Sequence, residues 1–99
     1  MAKPSMTGIW RGEALDFPYT LDLTQLSSHV SGLLTVGGFK KTGNVMGVNY
    51  YPNVLLSGSF LRHGAHFQGH FVDENTITGT IKAAGGAGEI TFRRDISVS

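Results

Sequence analysis

Histidine is the residue type in this chain best suited to binding a metal ion or moving a proton, and the sequence contains four. His66 and His70 stand four residues apart in a segment of alternating apolar and polar residues, which predicts a strand. On a strand this spacing places both side chains on one face but ~13 Å apart, too far for two ligands of one zinc ion. The chain has no cysteine, so thiolate ligands, disulfides and cysteine nucleophiles are excluded. We therefore predict neither a metal site nor a cofactor.

Serine and histidine together offer a second possibility, nucleophilic catalysis. Two serines, Ser57 and Ser59, lie on one predicted strand. Two histidines, His66 and His70, lie on the next, so a serine could meet a histidine across the hairpin. The sequence shows no acid placed to orient the histidine, and outward side chains have no pocket that excludes water. The pattern argues against a nucleophilic enzyme.

The remaining chemical motifs are weaker. Glu13 and Asp16 have no obvious partner for the paired-carboxylate chemistry of general acids and bases. The run Gly85-Gly86-Ala87-Gly88 lacks both the Lys-Ser/Thr signature and the following helix of a phosphate-binding loop. We therefore expect a protein that is not an enzyme, with an isomerase or cyclase that uses an enclosed lumen as the catalytic alternative.

Length and charge restrict the function further. The chain has 99 residues, the size of a single domain, and a formal net charge of +1. A balanced charge argues against binding nucleic acid through its phosphates. No apolar run approaches the ~18 residues of a membrane span. No apolar segment of a secretory signal follows the N-terminus, so we expect a cytoplasmic protein.

Apolar residues recur at every second position, which predicts β-strands rather than helices. Short turn-like breaks separate eight such runs, so each strand should pair antiparallel with the next. The predicted strands are 7–15, 17–25, 29–36, 41–50, 53–61, 65–72, 75–83 and 88–96. They favour an all-β fold, an eight-stranded antiparallel up-and-down β-barrel, over a two-sheet sandwich. Residues 1–6 are predicted to form an N-terminal tail and residues 7–99 a single β-barrel domain.

Five glycines share the predicted inward face of their strands with apolar neighbours: Gly32, Gly47, Gly58, Gly69 and Gly79. An inward glycine lets a strand bend sharply, which a narrow closed sheet needs. It could equally leave empty space in the lumen, which matters because an eight-stranded barrel is only just filled by side chains. Both explanations stay open from the sequence.

The two ends of the chain carry the most specific motif. Gly-Ile-Trp at residues 8–10 opens the first predicted strand, and Phe-Arg-Arg at residues 92–94 lies on the last. In these motifs the chain resembles the calycins, the lipocalin and avidin-type small β-barrels, where a Gly-x-Trp opens the first strand and a late arginine packs over the tryptophan. The resemblance implies a calycin-like barrel, closed at one end by Trp10 and Arg94, that binds a small apolar molecule. We choose Arg94 over Arg93 because alternation places it on the apolar face.

Hairpin alternation places a cluster of aromatic and basic residues at the other end of the barrel, beside glycine-rich loops. A hydrophobic lumen beneath a cationic rim suits an anionic amphiphile such as a fatty-acid-like molecule. We therefore predict non-catalytic binding of a small apolar or anionic amphipathic ligand in the lumen. Solvation alone, as in most loops, is the other explanation for these charged tips. The predicted ligand-binding residues are Phe17, Tyr19, Phe39, Lys40, Lys41, Phe60, Arg62 and His63.

The predicted outer wall is apolar on the third to fifth strands, and exposed apolar groups usually mark protein contacts. We predict a homodimer interface formed by Leu33, Met46, Val48, Tyr50 and Leu55. Two alternatives stay open. The fourth strand could be inverted, so that its apolar residues face inward. The barrel could also have a filled lumen and act as a protein-interaction or inhibitor barrel through this wall.

Overall fold

Eight β-strands follow one another along the chain, and the described residues form no helix between them. The computed structural model describes residues 3–14, 16–37, 41–60, 63–83 and 86–96, with the backbone alone at 41, 42, 60 and 63. The strands are β1 (Gly8–Ala14), β2 (Phe17–Leu26), β3 (His29–Val36), β4 (Lys41–Tyr50), β5 (Asn53–Phe60), β6 (His63–Asp73), β7 (Thr76–Ala83) and β8 (Gly86–Arg94). None of these residues belongs to a helix that could cross a membrane.

The sheet closes on itself. Each strand pairs antiparallel with the next, and β1 pairs with β8 through Trp10–Arg94 and Arg11–Arg93. The predicted closed, eight-stranded antiparallel barrel is confirmed, and the two-sheet sandwich is excluded. Closure also satisfies the edges of β1 and β8, which in an open sheet would be free to pair with other chains.

Two strands begin earlier than the sequence predicts. β6 begins at His63 because its ladder with β5 continues through Ser59–Gly64 and Phe60–His63. β8 begins at Gly86, which pairs with Ala83 at the end of β7. In both places glycine and polar residues that favour a loop are held in the sheet by backbone hydrogen bonds from the neighbouring strand.

Alternation along the strands decides which side chains fill the barrel. In the sequence, alternation places one set of apolar side chains of the eight strands on the inward face. Apart from Phe60, whose side chain lies outside the described part, all of this set are buried: Trp10, Tyr19, Leu21, Leu23, Val30, Leu34, Val36, Val54, Leu56, Phe67, Phe71, Ile77, Ile81, Ile90 and Phe92. Met6, Ala14, Val45 and Ala65 are buried as well. Because Val45 is buried and Met46 is exposed, the inverted arrangement of β4 is excluded.

The inward glycines lie where neighbouring strands approach each other closely. A Cβ on Gly32 would be 1.9 Å from the carbonyl oxygen of Asp22, and one on Gly79 would be 2.1 Å from that of Gln68. These contacts are with the backbone of the adjacent strand rather than with space in the lumen. Of the two explanations for the glycines, the structure therefore supports tight bending of the sheet.

Substituting Gly32 by alanine is expected to reduce the free energy of unfolding by about 3 kcal/mol, because the methyl group cannot fit without moving the backbone of β2. Gly64 provides the matched control, since a Cβ there would lie 3.7 Å from the His66 ring, an ordinary van der Waals distance. Gly64→Ala should change stability by less than about 0.5 kcal/mol. Urea unfolding of both variants measures the difference, and equal losses would contradict the close-approach explanation.

Candidate functional site

One end of the barrel is closed by Trp10, whose side chain is 0% exposed. The indole Nε1–H donates to the carbonyl oxygen of Met6 at 2.9 Å, which holds the segment before β1 across the barrel end. The ring meets Phe71 edge-on, with centroids 6.2 Å apart. The guanidinium carbon of Arg94 lies over the same ring, 4.3 Å from its centroid, in a cation–π contact. The arginine at this position is Arg94, while Arg93 points outward and is exposed.

Arg94, on β8, is hydrogen-bonded to two other parts of the closed end, the segment before β1 and the β6–β7 turn. Its Nη1 donates to the carbonyl oxygen of Thr7 at 2.7 Å, and its Nη2 donates to that of Ser5 at 2.6 Å. Toward the β6–β7 turn, Nη2 also donates to the Glu74 carbonyl at 2.8 Å, and Nε donates to Asn75 Oδ1 at 3.0 Å. Burial lowers the pKa of this guanidinium, and the charge of Glu74 partly opposes the shift. Arginine nevertheless stays charged in proteins, so all these hydrogen bonds are charge-assisted.

A polar network that the sequence analysis missed fastens the N-terminal segment. Asn49 is buried, and its Nδ2 donates to the carbonyl oxygen of Pro4 and to Gln25 Oε1, both at 2.9 Å. Gln25 Oε1 also accepts the backbone N–H of Met6 at 2.8 Å. The sequence did indicate that Asn49 points inward, because it lies four residues after Val45 and therefore on the same face of β4. Met6, which the sequence assigns to a tail, thereby becomes part of the core.

The opposite half of the lumen contains a small cavity of about 20 Å³. A void of that size holds about one water molecule. Most of the residues lining it are apolar: Leu21, Leu34, Val45, Leu56, Ala65, Phe67, Ile81 and Phe92. Ser57, Gly58 and His66 complete the lining where the cavity reaches the outer wall between β5 and β6. Tyr19 is buried nearby, opposite Val36 on β3, and Phe17 packs partly buried against the core. Burial raises the pKa of the Tyr19 phenol, so the group is neutral at neutral pH.

Most residues of the predicted cationic rim lie outside the part of the chain that the structure describes. Phe39, Lys40 and Arg62 lie outside the described residues, and so do the side chains of Lys41, Phe60 and His63. Of the predicted ligand-binding residues, the structure describes the side chains of Phe17 and Tyr19, which lie two positions apart on β2 in the half of the barrel away from Trp10. The other members of the rim stay a prediction.

Ser57 and His66 do meet across the β5–β6 hairpin, with Oγ and Nδ1 3.1 Å apart. Both side chains are exposed on the outer wall, and the neighbour of His66 on β7 is Lys82, not a carboxylate that could orient the ring. Within the part of the chain that the structure describes, this exposed serine–histidine pair therefore has no carboxylate across the strand to orient the ring, as the histidine of a hydrolytic site requires. Among the described residues, no group of three or more His, Asp or Glu side chains is arranged to hold a metal ion.

The outer wall of β3–β5 carries exposed apolar side chains, with Val48 partly buried between its neighbours. Their exposed fractions are 46% for Leu33, 68% for Met46, 62% for Tyr50 and 47% for Leu55. Val48 and Leu55 stand directly opposite each other in the β4–β5 ladder. All five predicted interface residues thus lie on one continuous outer surface, which we call the neutral wall.

Known proteins resemble this chain in structure rather than in sequence. No protein-family model and no curated protein matches the sequence. A redesigned β-barrel, mFAP1, solved bound to DFHBI, superposes with a TM-score of 0.67 at 10% identity, covering 91% of this chain and 94% of that one. A de novo designed fluorescence-activating β-barrel superposes with a TM-score of 0.63 at 14% identity and the same coverage. At such low identity these similarities establish the barrel fold alone.

Proposed function

We propose that this protein is a non-catalytic, calycin-like binder of a small apolar or anionic amphipathic ligand in the open half of its barrel. The observation that carries the proposal is the contrast between the two ends. One end is sealed by Trp10, Met6 and the hydrogen bonds of Arg94, whereas the other half holds an apolar cavity. A concave apolar site with a few polar groups at its mouth is the usual form of a small-molecule site.

The cavity at about 20 Å³ is smaller than any such ligand, so binding requires its lining side chains to change rotamer. Phe67 and Phe92, whose rings meet edge-on with centroids 5.3 Å apart, form the floor that would have to move. The basic side chains of Lys40, Lys41 and Arg62 are proposed to meet the anionic head of the ligand at the rim. A barrel of similar fold, mFAP1, binds DFHBI, which supports the choice of a barrel site.

Titration with a dansyl-labelled fatty acid tests this function. Trp10 is the only tryptophan, so energy transfer from it to the bound probe should quench its emission. Ala65→Val narrows the cavity, and we expect it to weaken binding at least about tenfold, a loss of ~1.4 kcal/mol. Ala87→Val is the matched control, because Ala87 is exposed on β8 and should leave binding unchanged. Absence of probe binding, or equal effects of the two variants, would contradict lumen binding.

A second function is favoured by the neutral wall: a protein-interaction barrel whose lumen stays filled. An exposed apolar surface of this kind is typical of a protein contact. The two functions respond differently to the same variant. Narrowing the cavity by Ala65→Val should weaken ligand binding at least about tenfold under the first function. It should leave association through the neutral wall intact under the second.

A further inference from the structure

The neutral wall belongs to the longest stretch of the chain without charge. Residues 42–61 contain no Asp, Glu, Lys, Arg or His, although the protein has 15 charged residues elsewhere. This stretch includes nearly all of β4 and the whole of β5, and the titratable residue of neighbouring β3 is His29. Among the side chains that the structure describes, the outward ones of these three adjacent strands therefore carry no formal charge when His29 is neutral.

The charged side chains are concentrated on the opposite side of the barrel. β8 and β1 lie diametrically across from β4 and β5 in the closed strand order. Their outward positions carry Arg11, Glu13, Glu89 and Arg93, all exposed. The wall of β8 and β1 is therefore charged and solvated, whereas the neutral wall combines apolar side chains with serine and asparagine. Depletion of charge together with enrichment of Met and Tyr is the composition of an interface core.

A second copy of this chain fits the neutral wall better than a charged partner does. A two-fold contact places the same surface on both sides, so an uncharged wall meets another uncharged wall and no charge is buried without a counter-ion. The cross-strand pair Val48–Leu55 lies in the middle of this surface, with Met46 and Tyr50 on either side along β4. We propose that the protein self-associates as a two-fold dimer through the neutral wall. This inference rests on the second function above and names its partner.

The neutral wall is small for a protein interface. Three strands and about seven residues of each offer roughly 14 by 25 Å, or about 350 Å² per protomer in projection. Stable interfaces bury about 800 Å² per partner, so this contact should be reversible, with a Kd of ~10 to ~500 µM.

Sedimentation velocity of the full chain from ~5 µM to ~1 mM tests the dimer across that range. We expect a concentration-dependent shift from monomer to dimer. Met46→Glu should weaken association at least tenfold, since two carboxylates would be brought into one apolar contact. Met46 is mostly exposed, so this variant should fold, which far-UV circular dichroism verifies. Thr80→Glu, on the exposed face of β7, is the matched control and should dimerise like the parent.

Mixing charge variants separates a two-fold contact from other association. Met46→Glu and Met46→Lys should each be monomeric at concentrations where the parent dimerises, and an equimolar mixture of the two should recover dimers. A monomeric parent at all concentrations, a Met46→Glu dimer of parental strength, or a mixture that stays monomeric would each overturn the proposal. Probe binding by the Met46→Glu monomer is expected to equal that of the parent, so failure of the dimer leaves the ligand-binding function separately testable.

Discussion

Replacing Trp10 by alanine is expected to lower the free energy of unfolding by about 3–5 kcal/mol, the range for deleting a fully buried aromatic side chain. The indole is completely buried, and it contacts Phe71, Arg94 and the Met6 carbonyl together. Its removal leaves a cavity at the closed end and also removes the hydrogen bond that holds the N-terminal segment. Urea unfolding followed by far-UV circular dichroism measures the loss without depending on tryptophan emission.

The control for this prediction separates ring volume from the hydrogen bond. Trp10→Phe keeps most of the aromatic packing but lacks the Nε1–H donor to Met6. Trp10→Phe should therefore be less destabilising than Trp10→Ala. The variant should still be less stable than the parent protein, because the buried Met6 carbonyl loses its hydrogen-bond donor. A loss below about 1 kcal/mol for Trp10→Ala would show that the tryptophan does not close the barrel.

Replacing Arg94 by alanine is expected to cost about 2–4 kcal/mol, because four acceptors at the closed end lose a charged donor at once. Two of these acceptors, the Ser5 and Thr7 carbonyls, belong to the segment before β1. The other two belong to Glu74 and Asn75 in the β6–β7 turn. The side chain thus ties β8 to Ser5, which lies 89 residues away along the chain, and without it the N-terminal segment and the β6–β7 turn should both loosen. Thermal and urea unfolding provide the measurement.

Arg93 supplies a control on the adjacent position of the same strand. It is exposed on the outer wall, so Arg93→Ala should change stability by less than about 0.5 kcal/mol. Arg94→Lys keeps the positive charge but loses the planar fork that reaches several carbonyls, and it should recover little of the lost stability. If Arg93→Ala proved the more damaging of the two alanine variants, the assignment of Arg94 to the closure would be wrong.

Strand number, order and facing follow from local information in the chain. Leu21 and Leu23 alternate with Asp22 and Thr24, and the same alternation repeats in each hairpin. If such a strand were rotated so that its other face pointed inward, its apolar side chains would be exposed to water. The alternation therefore determines which side chains point into the barrel. The same parity distinguishes Arg94 from Arg93 beside Trp10. Ambiguity arose at β4, where Val45 and Met46 are both apolar, and burial of Val45 resolved it.

The candidate site was less accessible to sequence reasoning. Tyr19 and Phe17 were predicted at the open half because they follow the strand pattern, whereas the basic rim depends on loops whose positions no periodicity restricts. The cavity volume was also beyond the sequence, since it depends on how side chains from β2 to β8 interlock. A meeting of Ser57 or Ser59 with His66 or His70 was predicted across the hairpin, and the strand register decided that the pair is Ser57 and His66.

The amino-acid sequence by itself determines eight antiparallel strands with an apolar lumen. It does so because the alternation of apolar and polar residues is a local property that does not depend on contacts between distant residues. The fold adds what depends on residues far apart along the chain. A Cβ on Gly32 would lie 1.9 Å from the Asp22 carbonyl oxygen on β2. The inward glycines therefore allow the sheet to bend tightly and do not create empty space in the lumen. Arg94 and Asn49 fasten a segment that looks like a free tail in the sequence. These features depend on distances across a closed sheet, and such distances exist only once the ends of the chain have met.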